Sequence, residues 1–127
     1  MAKATVTSQI GRADNSVVSY TWLLTTGDPT GDAAQIPEWA DQTWQFGTAT
    51  DTLGGATGAA QGSNTDVDAD YQTLSNAAGA TPATFAAFGL KTVIENPRFV
   101  RPKLTAIGAG ASITVTLIAR RANPMRT

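Results

Sequence analysis

Wherever apolar residues repeat in this chain, they repeat with period two, and no other feature constrains its fold as tightly. From Ser112 to Ala119, Ile113, Val115, Leu117 and Ala119 fall on one face, and Thr114, Thr116 and Ile118 on the other. Successive residues of a strand point to opposite sides, so this is the pattern of a β-strand with one buried face. Ser16 to Leu24 repeats it, with Val18, Tyr20, Trp22 and Leu24 together. Asp41 to Thr50 places Trp44, Phe46 and Thr48 together, and Phe99 to Ala106 alternates Val100, Pro102, Leu104 and Ala106 against Phe99, Arg101, Lys103 and Thr105. Such β-branched and aromatic runs suit a pleated, half-buried surface.

Turn residues separate these runs. Thr26-Gly27-Asp28-Pro29-Thr30-Gly31-Asp32, Gly62-Ser63-Asn64-Thr65-Asp66 and Glu95-Asn96-Pro97 read as turns, and Ser75 to Pro82 as a loop. Gly108-Ala109-Gly110 reads as the loop of a hairpin joining the last two strands. The Gly-rich stretch Leu53 to Gln61 is a strand only if it lies close to another backbone or carries a bulge. Tyr71 to Leu74 and Leu90 to Ile94 are further short strands, and Thr84 to Phe88 is either a strand or one helical turn. Pro102 demotes its strand to an edge or marks a bulge, because proline has no N–H for the ladder.

Seven or eight short strands with turns at regular spacing predict an all-β fold, an antiparallel β-sandwich of jelly-roll type. The expected organisation is an N-terminal arm over 1–15, a single sandwich domain over 16–121 and a C-terminal tail over 122–127. At 127 residues the chain is long enough for one well-filled core. Residues 1–11 lack the apolar segment of a secretory signal, and no run approaches the roughly 20 apolar residues of a membrane span, so a soluble protein made in the cytoplasm is expected.

The chain has no cysteine and no histidine. A Ser-His-Asp triad, a cysteine nucleophile, a His- or Cys-ligated zinc and a disulfide framework are therefore excluded. A formal net charge of -1 argues against a nucleic-acid partner, since neutralising phosphates takes a basic surplus. That small value hides an asymmetry: residues 1–90 carry two basic residues against nine acids, and 91–127 carry seven against one. Opposite charges in one domain either pair internally or present complementary patches to neighbours.

Asp66, Asp68 and Asp70 invite a calcium reading, but an EF-hand loop needs Gly at its sixth place and an acid at its twelfth, where this chain has Tyr71 and Ala77. A solvated acidic turn or an irregular calcium site remain. Glu38 and Glu95, the glutamates of the chain, each sit beside a proline in a loop, and nothing around them points to the raised pKa of a glycosidase acid. Trp22, Trp39 and Trp44 with Tyr20, Phe46 and Tyr71 offer either a sugar-stacking platform or a core. The alternation assigns Tyr20, Trp22, Trp44 and Phe46 to the core and leaves Trp39 to meet a ligand or partner. Arg98, Arg101 and Lys103 form either a solvated basic strand face or a grip for an acidic partner surface.

The order of segments is more specific. A turn-rich G-D-P-T-G-D is followed by I-P-E-W-A-D with the strand T-W-Q-F-G-T, then Gln61-Gly62-Ser63-Asn64 with Y-Q-T-L, then Glu95-Asn96-Pro97-Arg98-Phe99-Val100-Arg101-Pro102, and finally I-T-V-T-L-I-A-R-R. Over most of residues 16–121 this resembles the head structural proteins of tailed bacteriophages, the cement or decoration proteins that sit on an HK97-type shell. The chain departs from that likeness at Ala56-Thr57-Gly58-Ala59-Ala60, where β-branched residues are expected, and in a longer loop from Asn64 to Tyr71. The resemblance implies a jelly-roll-like sandwich with no enzymatic activity and no cofactor. It also implies a place on the capsid exterior, binding to the major capsid protein, and self-association as a homodimer. On that reading the partner-binding residues are the basic edge Arg98, Arg101 and Lys103, the arm residues Lys3, Arg12 and Arg121, and Trp39. The alternatives are another virion component, such as a tail or head-to-tail joining protein, and a carbohydrate-binding sandwich module.

Overall fold

The computed structural model describes residues 3–10, 17–36, 39–76 and 81–121, with the side chains of Gln9, Ile10, Trp39 and Arg121 outside that description. The described chain is all-β, apart from one short 3-10 turn, and forms an antiparallel β-sandwich. In chain order the strands are β1 (Thr7–Ile10), β2 (Val17–Thr25), β3 (Ala34–Gln35), β4 (Trp39–Phe46), β5 (Thr57–Ser63), β6 (Gln72–Thr73), β7 (Thr84–Phe85), β8 (Gly89–Thr92), β9 (Phe99–Ala106) and β10 (Ser112–Arg121). The first sheet runs β1-β2-β10-β4-β8; the second runs β3-β9-β5-β6, with β7 also on β5.

The period-two residues meet between the sheets. Trp22, Leu24, Trp44, Phe46, Ile113, Val115 and Leu117 come from the first sheet, and Ala34, Ala60, Phe85, Val100 and Leu104 from the second. Their aromatic rings form a stack. Trp22 lies on Trp44 at 5.6 Å and nearly parallel, Trp44 on Phe46 at 6.0 Å, and Phe46 on Phe85 of the facing sheet at 4.4 Å. Each such pair contributes about 0.5–1.5 kcal/mol beyond the area it buries. The indole N–H of Trp22 donates to the Asp32 carbonyl at 2.7 Å, so burial leaves it satisfied.

The Gly-rich segment lies at the centre of the second sheet. β5 pairs with β9 on one flank and with β6 and β7 on the other, and its ladder with β9 shifts register between Thr57 and Gly58. A Cβ at Gly58 would collide with the Phe85 ring, so the small residues let strand and ring approach. Both conditions that the sequence set for a strand here, a bulge and a close approach, are met.

Three expectations change. Gly108-Ala109-Gly110 is not a hairpin loop: β9 belongs to the second sheet, whereas β10 pairs with β2 and β4 in the first, so the segment crosses between sheets. It does so by lying directly on Gly54, where a Cβ on Gly108 would strike the Gly54 carbonyl. Pro102 is not in an edge strand, since β9 has β5 on one side and β3 on the other. Leu104 N donates to the Pro29 carbonyl and Gly31 N to the Pro102 carbonyl, so the missing N–H of Pro102 faces the 29–35 segment, in a gap between the Thr30–Lys103 bridge and the Ala34–Val100 pair. The ladder is interrupted there, which is how an interior strand accommodates proline. Finally, residues 3–10 of the expected arm pack on the sandwich. Ala4 bridges to Gly31, and β1 pairs with β2 from Thr7↔Thr21 to Ile10↔Val18.

Candidate functional site

The two stretches singled out by their order in the sequence lie side by side. Gln61, Gly62 and Ser63 pair with Arg101, Val100 and Phe99, and Asn64 Oδ1 accepts the Arg98 N–H at 3.0 Å. Beyond Ser63 the chain turns back over the outer face of this sheet through Asn64, the 3-10 turn Asp68–Asp70 and Tyr71. That lid covers Arg101, which is 3% exposed.

Arg101 is held by three residues. Its guanidinium lies 3.8 Å from the centre of the Tyr71 ring, its Nε donates to Gln61 Oε1 at 3.1 Å, and its Nη1 donates to Asp68 Oδ1 at 2.7 Å. Lys3 Nζ reaches the same carboxylate oxygen at 2.8 Å. With two cations on one oxygen, the Asp68 carboxyl is held down to about 2, chiefly by the Lys3 hydrogen bond and then by that of Arg101. The expected basic edge therefore does not form as one surface. Arg98 is exposed with its guanidinium 5.4 Å from the Phe99 ring, Lys103 is half-buried, and Arg101 between them is withdrawn beneath the lid. Burying a guanidinium requires paired charge and hydrogen bonds, and Asp68 and Gln61 supply them.

The D-x-D-x-D run is bound by the protein's own donors. Asp66 accepts from the Tyr71 hydroxyl at 2.9 Å, Asp68 from Lys3 and Arg101, and Asp70 from the Thr65 hydroxyl at 2.6 Å. Burial, with the Asp66 hydrogen bond second, pushes the Tyr71 hydroxyl well above the usual phenol range. Among the described residues no three acidic side chains converge as a metal site.

An open groove of about 490 Å³ lies between Gly62, Asn64, Asp70, Gln72 and the turn Glu95-Asn96-Pro97. Its polar walls are tied down. The fully buried Gln42 donates through Nε2 to the Glu95 carbonyl at 2.7 Å and to Asn96 Oδ1 at 3.2 Å, and its Oε1 accepts from Trp44 Nε1 at 3.0 Å. Glu95 Oε1 accepts the Ser75 N–H at 2.7 Å, which holds its carboxyl below the ordinary glutamate value. Glu95 thus lacks the raised pKa of a general acid; Glu38 lies outside the described residues.

Of the other candidates, Arg12 lies outside the described residues. The Trp39 backbone does not sit in a free loop: it opens β4, in register with Arg121 at the end of β10. Of the aromatics offered as a sugar platform, Trp22, Trp44 and Phe46 are fully buried and Tyr71 nearly so.

The feature that sequence reasoning passed over is the outer face of the first sheet. One row crosses all five strands in register: Thr7, Thr21, Thr116, Gln45 and Leu90. Leu23 flanks it at the level of Thr114, and Ile118 on the other side at the level of Ser19. Leu23 is 51% exposed, Ile118 36% and Leu90 67%. The residues paired at the level of this row and at that of Ile118 are uncharged, whereas at Thr114 the Asp51 carboxylate reaches the face and accepts from the Thr114 hydroxyl at 3.2 Å. The signal was available in the outward Thr-x-Thr of β10 and Ser-x-Thr-x-Leu of β2, but threonine on a strand face marks solvent and interface alike.

Comparison of the chain with protein-family models, curated proteins and solved structures finds no match.

Proposed function

We propose that this protein is a structural component of a virion. It decorates and cements the outside of an HK97-type shell by binding the major capsid protein and itself, without enzymatic activity or cofactor. The observation that carries the reading is the broad, hydroxyl- and aliphatic-lined face of the first sheet, whose central row is uncharged across all five strands, set against an acidic loop and a buried arginine that are tied up internally. A chain whose ionisable side chains hold its own loops together, while the central row of a sheet face stays neutral, suits surface-to-surface association better than acid–base chemistry. Two further features support it. β1 and β8 are edges of the first sheet, and such edges add strands from neighbours. Weak contacts also suffice for a cement protein, because attachment at many points multiplies them.

The test is to add purified protein to expanded shells that lack it. Co-sedimentation at a shell-wide copy number, with raised resistance of the shells to heat, is the expected result. Failure to bind together with unchanged heat resistance overturns the proposal, and a copy number matching a single ring points instead to a head-to-tail joining protein. Burial of the aromatic side chains named above weighs against the carbohydrate-binding alternative.

A further inference from the structure

We propose that the acidic lid is a built-in occupant of a docking site for carboxylate-rich peptide segments: when the lid lifts, Arg101, held between Tyr71 and Gln61, takes a carboxylate of a partner in place of that of Asp68. The inference goes beyond the cement reading and defines the partner by its chemistry, a segment bearing several Asp or Glu side chains.

The lid is lightly anchored. Residues 64–70 are all exposed, and the 3-10 turn Asp68–Asp70 buries no residue. From Asp66 to Asp70, the described hydrogen bonds to residues outside the lid all end on the Asp68 carboxylate, whose side chain is itself 67% exposed. A segment without buried apolar contacts opens at a lower free energy than the sandwich beneath it.

What the lid covers is suited to receive an acid. The buried Tyr71 ring lies over the guanidinium and Gln61 holds its Nε, so lifting residues 64–70 leaves Arg101 oriented, with Nη1 relieved of its carboxylate. A planar guanidinium fixed in this way matches a carboxylate in direction as well as in charge. Lys3 Nζ, 2.8 Å from the oxygen that Arg101 also holds, is released by the same event. The pairs around Arg101 on this face, Phe99 with Ser63 and Gln35, Lys103 with Ala59, and Gln61 with Thr73, bring no acid, so the carboxylate that Arg101 meets comes from the lid. Stability alone does not account for a buried arginine, because an apolar side chain of similar bulk fills such a position as well or better. A guanidinium kept oriented beneath a removable carboxylate does account for it, and gives the run Asp66, Asp68 and Asp70 a role as the internal competitor.

The test sets the lid against a peptide. In Asp68→Ala the exposed lid loses its hold on Arg101 while the core is untouched. Its affinity for an acetylated hexa-aspartate peptide, measured by calorimetric titration, is expected to exceed that of the unaltered protein by about tenfold or more, because the apparent dissociation constant scales inversely with the open fraction. Asp70→Ala makes the same change in net charge but leaves the clasp in place, and is expected to bind the peptide as the unaltered protein does. Arg101→Met added to Asp68→Ala is expected to abolish the gain. Should that double variant fold poorly, the NMR signal of the Arg101 Nε–H in Asp68→Ala gives the same answer, since it is expected to shift as peptide is added. In the unaltered protein, the Asp70 N–H, which donates to the Val67 carbonyl at 2.9 Å, is expected to exchange well before the amides of β5 and β9. The proposal is overturned by a gain no larger in Asp68→Ala than in Asp70→Ala, by a gain that survives the loss of Arg101, by an Nε–H signal indifferent to the peptide, or by a lid that exchanges only with global unfolding. No shells enter these measurements, so failure here leaves the cement reading standing, and failure to bind shells leaves this inference standing.

Discussion

The guanidinium of Arg101 lies 3.8 Å from the centre of the Tyr71 ring, and the two residues clasp the 64–71 lid to the outer face of the second sheet. Tyr71 holds Asp66 through its hydroxyl, and Arg101 holds Asp68, which in turn holds Lys3 at the start of the described chain. One buried cation thus joins three segments distant in sequence.

Arg101→Met is expected to lower stability by about 2–3 kcal/mol, because the methionine refills part of the space but leaves the ring without its cation and Gln61 without its donor. Tyr71→Phe keeps the stacking and removes only the hydroxyl bond to Asp66, a loss of about 1 kcal/mol. Urea unfolding followed by tryptophan fluorescence measures both, and a loss for Arg101→Met no larger than that for Tyr71→Phe would contradict the clasp.

Asp68 sets an acid limb of the stability curve. Its carboxyl is depressed from 3.8 to about 2 in the folded state, so its contribution is fully present above the unfolded value and is lost as pH falls from about 4 through 2. Asp68→Asn is therefore expected to flatten the dependence of melting temperature on pH over that interval, and to free Lys3. Identical acid limbs for the two proteins would contradict the shared-carboxylate arrangement.

Gln42→Leu conserves bulk in the core but leaves Trp44 Nε1 without its acceptor and the Glu95 carbonyl without its donor. Stranding two polar groups costs about 2–4 kcal/mol. Denaturant titration gives the loss, and amide exchange is expected to accelerate first at residues 93–97, the turn that Gln42 ties down.

Gly108→Ala separates the inter-sheet crossing from a hairpin. In an open hairpin loop a methyl at this position meets no other backbone, whereas at the crossing it meets the Gly54 backbone, which cannot move as a side chain does. A loss of about 2 kcal/mol or more is expected, with Gly89→Ala, where a Cβ meets nothing, as the control.

The strands that carry the core were legible because burial on one face imposes its period on the sequence itself. β2, β9 and β10 follow the alternation from Ser16, Phe99 and Ser112, and Trp22, Trp44 and Phe46 lie where it puts them. Period two reports which face a residue takes and says nothing of which strand lies beside it. The glycines at 108 and 110 therefore read as a hairpin, although the chain was changing sheets. The candidate site was less legible for a related reason: Arg101 belongs by alternation to an outward face, and only the lid 30 residues earlier, returning over β9, converts that position into a buried one.

By itself the sequence determined that this chain is an all-β protein with an aromatic core and no cysteine or histidine chemistry, because those properties are local to each residue and its near neighbours. Only the tertiary structure decided which acid meets which base and which strands share a sheet, because both depend on segments that meet in space without being near in the chain. The opposite charges of its two parts proved to be in part an internal clasp, in which the acidic lid holds Arg101.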